Sequence, residues 1–192
     1  MMAIHQTMPG IRRGMPINVS MPVNLRNFYH SETVRNFFNS ITISHYFKEN
    51  ETIESVAKAF DKQLRDNIAP EKIRKQMDKF QKFENVVFVR MVPLVFKQPV
   101  VKAGSKIQNR NVSFVLSNLG VMKPAEELVP YIENYSAFCS HEEIFITASS
   151  FGDEFKLGIS YAYEDTTPLK NLVRALTKEG VDVSINATEV VK

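Results

Sequence analysis

Apolar and polar residues alternate cleanly over residues 16–25, with Ile17, Val19, Met21, Val23 and Leu25 on one side and Asn18, Ser20 and Asn24 on the other. A repeat of two predicts a half-buried strand. Pro22 lies inside it and has no N–H, so one edge of the strand is unpaired there or the strand bulges. After the polar stretch RNFYHSET, residues 36–47 predict a second strand, with Ile41 and Ile43 opposed to Thr42 and Ser44. The period then lengthens. Ile53, Val56, Ala57, Phe60 and Leu64 recur at helical spacing behind Thr52, which suits an N-cap. Pro70 fits the first turn of a following helix, Glu71 is well placed against its dipole, and Ile73, Met77 and Phe80 form its apolar stripe.

The next stretch, VVFVRMVPLVFKQPVVKAG, is apolar but broken by Pro93 and Pro99, which predicts short helical pieces on the core. VSFVLSNLGVM, residues 112–122, puts Val112, Phe114 and Leu116 on one face of a strand and then runs into Ser117, Asn118 and Gly120. A short strand is expected around residues 127–138. A hairpin follows, EIFITASS and FKLGISYAY flanking the turn FGDE. Thr167 and Pro168 open a last helix with Leu169, Leu172, Val173 and Leu176 as its stripe, Gly180 ends it, and VDVSIN predicts a final strand. The fold class expected is α/β, a two-layer sandwich with a mixed sheet and helices on one face. Residues 1–192 read as a single domain, with 1–15 as a flexible N-terminal segment.

Composition narrows the classes. The chain is 44% hydrophobic and 23% charged over 192 residues, enough to bury a core without cross-links. One cysteine, Cys139, leaves no internal disulfide, and no Cys/His cluster suggests zinc. A reducing, cytoplasmic setting is the expectation. No stretch approaches the ~20 apolar residues of a membrane helix, so no membrane partner is expected. The net charge of +3 carries little information about partners. Lys58, Lys62, Arg65, Lys72, Arg74, Lys75, Lys79 and Lys82 crowd the two central helices, but Asp61, Asp66, Glu71 and Asp78 are interleaved with them. That pattern is a solvated helix face rather than a concentrated nucleic-acid footprint.

Motif chemistry is sparse. There is no GxxxxGK[ST], no GxGxxG and no Gly-x-Ser-x-Gly. His45 lies within a strand and reads as a hydrogen-bonded sheet histidine before a catalytic base. His5, His30 and His141 fall in expected loops, where solvated side chains suffice. Ser117 and Asn118 leave two readings open: polar groups satisfying backbone at a strand end beside Gly120, or a hydroxyl and an amide offered to a ligand. Asp165 reads as a pre-helix carboxylate, with Thr167 the better cap.

The blocks PINVSMPVNLRNFYHSETVRNFFN, VSFVLSNLG and FKLGISYAYEDTTPLKNLVRALTKEGVDVSI, in that order, resemble the C-terminal half of the chloramphenicol-acetyltransferase-like superfamily. The nearest members would be the two-half enzymes: alcohol acetyltransferases, condensation domains and plant-type BAHD acyltransferases. The likeness runs from about Ile11 to Ile185. SNLG is similar to the ISNLG of dihydrolipoyl acyltransferase cores, a short motif. These enzymes carry HxxxD, usually HHxxxD, whose histidine deprotonates an alcohol, amine or thiol for attack on a thioester.

No HxxxD occurs in this sequence: four residues after His5, His30, His45 and His141 stand Pro9, Val34, Glu49 and Phe145. In the two-half enzymes the motif belongs to the N-terminal half, and this chain matches the other one. The resemblance therefore implies a chain that is inactive alone and supplies one wall of a tunnel. Its partner would be an N-terminal half or a separate HHxxxD-bearing chain, or a second copy through the same face. A coenzyme A thioester would be a substrate of the complete enzyme, with no tightly bound cofactor and no metal. Ser117, Asn118 and Gly120 would contact substrate, Ser117 as a donor to the oxyanion of the tetrahedral intermediate. Arg26, Arg35 and Asn36 would fix the segment crossing between the halves, or are plain loop polars. The alternative is a non-catalytic interaction module that kept the fold.

Overall fold

A computed structural model of the chain describes residues 1–7, 14–84, 93, 98–99, 111–139 and 144–187. The described chain divides into two compact units: Pro16–Ala162, and a smaller unit made of Met1–Met15 with Tyr163–Lys192.

The smaller unit holds helix α1, Met2–Thr7, inside the segment expected to be flexible. It packs against the last helix, which explains why so short a helix is ordered. His5 is therefore helical rather than in a loop. The last helix, labelled α4 here, spans Thr167–Lys178. Its start corrects the expected cap. The N-cap position is Thr166, which makes no side-chain cap bond, and Thr167 is the first helical residue; Asp165 Oδ1 accepts from the Thr167 backbone N–H at 2.9 Å and from its hydroxyl at 2.5 Å. These bonds, the hydroxyl's above all, hold the Asp165 carboxyl below its usual pKa. Residues 181–187 form no strand, contrary to the VDVSIN reading.

The larger unit is a five-stranded mixed sheet in the order β2-β1-β3-β4-β5. Its strands are β1 (Ile17–Asn24), β2 (Phe38–His45), β3 (Phe114–Val121), β4 (Ile144–Phe151) and β5 (Glu154–Ser160). β1 and β2 pair antiparallel along their whole length, as do β4 and β5, whereas β3 runs parallel to both β1 and β4. The cross-strand register places Ile17, Val19, Ile41, Ile43, Phe114, Ile144 and Ala148 on one face, and all are buried. Helix α2 (Ile53–Ile68) and helix α3 (Pro70–Glu84) add Val56 and Ile73 to this core. Thr52 caps α2 by accepting from Ser55 N–H, and Pro70 opens α3, both as the spacing predicts.

The opposite face is mostly polar, carrying Asn18, Ser20, Thr42, Ser44, Ser117, Thr147 and Ser149 beside Val115 and Phe145. Residues 132–139 cross it instead of forming a strand, after a 3₁₀ helix at Glu126–Tyr131 that replaces the first part of the expected strand. The crossing is locked at one point. Thr147 Oγ1 lies between the carbonyls of Ala137 and Gly158, with one proton to share between these two acceptors, and a Cβ on Gly158 would overlap the Ala137 carbonyl oxygen. The helical pieces expected over residues 86–104 lie almost wholly outside the described residues, as does His141.

Candidate functional site

The sheet changes direction between β1 and β3. From the C-terminal end of β1 the chain turns to β2 on one side, and β4, which follows β3, lies on the other. In open α/β sheets the C-terminal ends of two parallel strands at such a switch are the usual ligand position, and the gap between β1 and β3 there is termed the crevice.

Pro22 explains why this crevice opens early. Asn18 turns its backbone toward β3, its N–H donating to Ser113 Oγ at 3.1 Å and its carbonyl accepting from Ser113 N–H at 2.8 Å. The two-residue repeat of a strand turns Ser20 and Pro22 the same way. The β1–β3 ladder runs only through Val19 with Phe114 and Ser20 with Val115, and it stops where Pro22 has no N–H to offer. On its other side Pro22 sits in an unbroken ladder, opposite Ser40. The first of the two sequence readings of Pro22 is the one realised. Beyond Ser20 and Val115, Met21–Asn24 and Leu116–Val121 have no ladder with each other.

The predicted site residues line the β3 side of this crevice. Ser117 is half-buried on the polar face, register partner of Thr147, and its hydroxyl bonds to no other described residue. Asn118 and Gly120 are exposed, and their geometry is turn chemistry. Asn118 Oδ1 accepts from Gly120 N–H at 2.9 Å, Gly120 has φ +71°, and the register shifts so that Leu119 is an extra residue in β3. SNLG is thus a β-bulge, a feature that re-aims the strand next to it. Downstream, Leu119, Val121, Leu128, Val129, Tyr131 and Phe138 all expose large apolar side chains.

Arg26, Arg35 and Asn36 lie away from β3, on the β1–β2 connection. Arg26 Nη2 donates to the carbonyls of Thr33 at 2.7 Å and Arg35 at 3.1 Å, closing the loop on itself. Arg35 contributes only backbone there, accepting Arg26 and donating its N–H to Thr33 Oγ1, and Asn36 is exposed.

His45 is a half-buried sheet histidine with a partner. Its Nε2 lies 2.8 Å from Glu51 Oε2, and its ring stands edge-on to Phe47. An ionised carboxylate only accepts, so this nitrogen carries the proton. The bond, with a second from Lys48 N–H, holds Glu51 below the usual carboxylate pKa. His45 pairs with Ile17 and so belongs to the core face, whereas Ser117 belongs to the polar face. A histidine on the far side of the sheet cannot serve as base for Ser117.

An open groove between the 27–37 loop and α3 is lined by Tyr29, Phe37, Arg74, Met77 and Asp78 and encloses about 310 Å³. It continues into a second, of about 560 Å³, past Glu71 and Lys75. Cations and carboxylates balance along its wall, so it selects no charge. Among the described residues no metal-ligating side chains cluster, and no helix is long and apolar enough to cross a membrane. No protein-family model, curated protein or solved structure matches the chain.

Proposed function

We propose that this chain is the C-terminal half of an acyltransferase of the alcohol acetyltransferase or condensation type, moving an acyl group from a thioester to an alcohol or amine. The observation that carries the reading is the parting of β1 and β3 beyond Pro22, with Ser117, whose hydroxyl bonds to no other described residue, on the β3 side. In the proposed reaction the acceptor's oxygen or nitrogen attacks the thioester carbon as a histidine of the other half takes its proton. Ser117 donates a hydrogen bond to the oxyanion that forms, and the thiol leaves. A donor aimed at developing charge is worth about 3 kcal/mol. The coarse architecture, a mixed sheet backed by helices, supports the resemblance without distinguishing it from other α/β folds. Asn118 Oδ1 is engaged by the Gly120 N–H, which leaves its Nδ2 amide as the group to offer a substrate.

One observation favours the second reading, a non-catalytic interaction module. The described part of the crevice holds no histidine, and the half-buried His45 is bound to Glu51 on the other face. Co-expression with an HHxxxD-bearing half separates the two. Acyl transfer that needs both chains supports the enzyme reading, and a stable but inactive complex supports the module.

A further inference from the structure

The two edges of the sheet are treated differently. On the β2 edge, side-chain amides take the outward backbone groups one after another. Ser40 N–H donates to Asn39 Oδ1, Asn67 Nδ2 donates to the Thr42 carbonyl, and Gln63 binds both the N–H and the carbonyl of Ser44. These four bonds block a continuous ladder to another strand on that edge.

The β5 edge is open. Phe151 and Glu154 flank the two-residue turn Gly152–Asp153 and form the first hydrogen-bonded pair of the hairpin. Alternate pairs follow, so Glu154, Lys156, Gly158 and Ser160 turn their backbone toward β4. The Thr147 bond to the Gly158 carbonyl agrees with this phase. Phe155, Leu157 and Ile159 therefore turn their N–H and carbonyl groups outward. Among the described residues none of these groups has a partner, and the Phe155 side chain is 66% exposed.

We propose that this edge is a homodimer interface, in which β5 of a second copy adds antiparallel and joins the two sheets into one. The strand is self-complementary about Leu157. A two-fold axis there sets Phe155 opposite Ile159 of the second copy and Leu157 opposite its own equivalent, so every outward backbone group is paired. On the other face Glu154 meets Ser160 and Lys156 meets Gly158, with no like charges opposed. A register shift one way sets two copies of Lys156 against each other, and the other way runs Phe155 past the end of the strand. The interface depends on the backbone of β5 and not on the chemistry proposed for Ser117.

The test is light scattering on the full 192-residue chain over a concentration series, with amide hydrogen exchange on the same samples. A dimer of twice the 22.0 kDa chain mass is expected, with the Phe155, Leu157 and Ile159 amides exchanging more slowly as concentration rises. Phe155→Pro removes an outward N–H from an exposed residue and leaves the β4 ladder intact. It should raise the dissociation midpoint by more than about tenfold, since symmetry loses the bond twice. If that variant fails to fold, exchange in the unsubstituted chain decides. A monomer throughout overturns the proposal, whether its β5 amides exchange freely or are covered by its own chain. A dimer whose β5 amides exchange freely, or one that a folded Phe155→Pro leaves unchanged, also overturns it.

Discussion

Gln63 grips Ser44 by both of its outward backbone groups. Its Oε1 accepts the Ser44 N–H at 3.3 Å and its Nε2 donates to the Ser44 carbonyl at 3.0 Å. One side chain on α2 thereby imitates a neighbouring strand. Gln63→Leu leaves both groups without a partner under an apolar side chain and should cost about 1–2 kcal/mol. Urea denaturation would read this as a lower midpoint. Gln63→Glu keeps the acceptor and loses the donor, and should fall between the two.

The His45–Glu51 contact makes stability depend on acidity. Glu51 titrates below its usual value of 4.5 in the folded chain because the His45 ring and the Lys48 N–H bond its ionised form. Its contribution is present above 4.5 and is lost as pH falls through the lower folded pKa. Glu51→Gln has no such titration. The stability advantage of the parent over this variant should shrink as pH drops below 4.5, as measured by urea midpoints across a pH series. A difference that stays constant or grows would contradict the assigned role.

Substitution should destabilise at two glycines for different reasons. At Gly158 a Cβ would strike the Ala137 carbonyl oxygen and the Thr147 hydroxyl, so Gly158→Ala should destabilise by about 1–3 kcal/mol. At Gly120 there is open space and only the positive φ to satisfy. Gly120→Ala should cost about 1–2 kcal/mol. Gly120→Asn should recover much of that loss, because asparagine tolerates left-handed backbone. Thermal melts of the three variants would separate steric from conformational cost.

Much of the sheet was legible because its periodicity is local. Ile17 to Leu25, Ile41 with Ile43, and the hairpin around Gly152–Asp153 each announce themselves within ten residues or so of chain. The cap at Thr52 and the helix start at Pro70 were equally plain. What failed was decided at a distance or by competition. Residues 127–138 have strand-like composition, but Pro130 and the crossing over Gly158 make them a 3₁₀ turn and an extended segment. Thr167 is not the cap because the helix already includes it, and its N–H and hydroxyl are taken by the Asp165 carboxylate two residues upstream. The candidate site was half-readable. SNLG was visible as polar turn chemistry, and Pro22 as a missing donor. That they flank one crevice depends on strand order, which no local pattern encodes. The amides of Asn39, Gln63 and Asn67 gave no sequence signal, since edge capping has no fixed spacing.

The acyltransferase reading is tested most directly by an acyl-transfer assay on this chain co-expressed with an HHxxxD-bearing half, using acetyl-CoA and an alcohol acceptor. Turnover should require both chains, and Ser117→Ala in the complex should lower kcat about a hundredfold with little change in KM. Turnover by this chain alone, or an active complex indifferent to Ser117→Ala, would contradict the role assigned to the crevice.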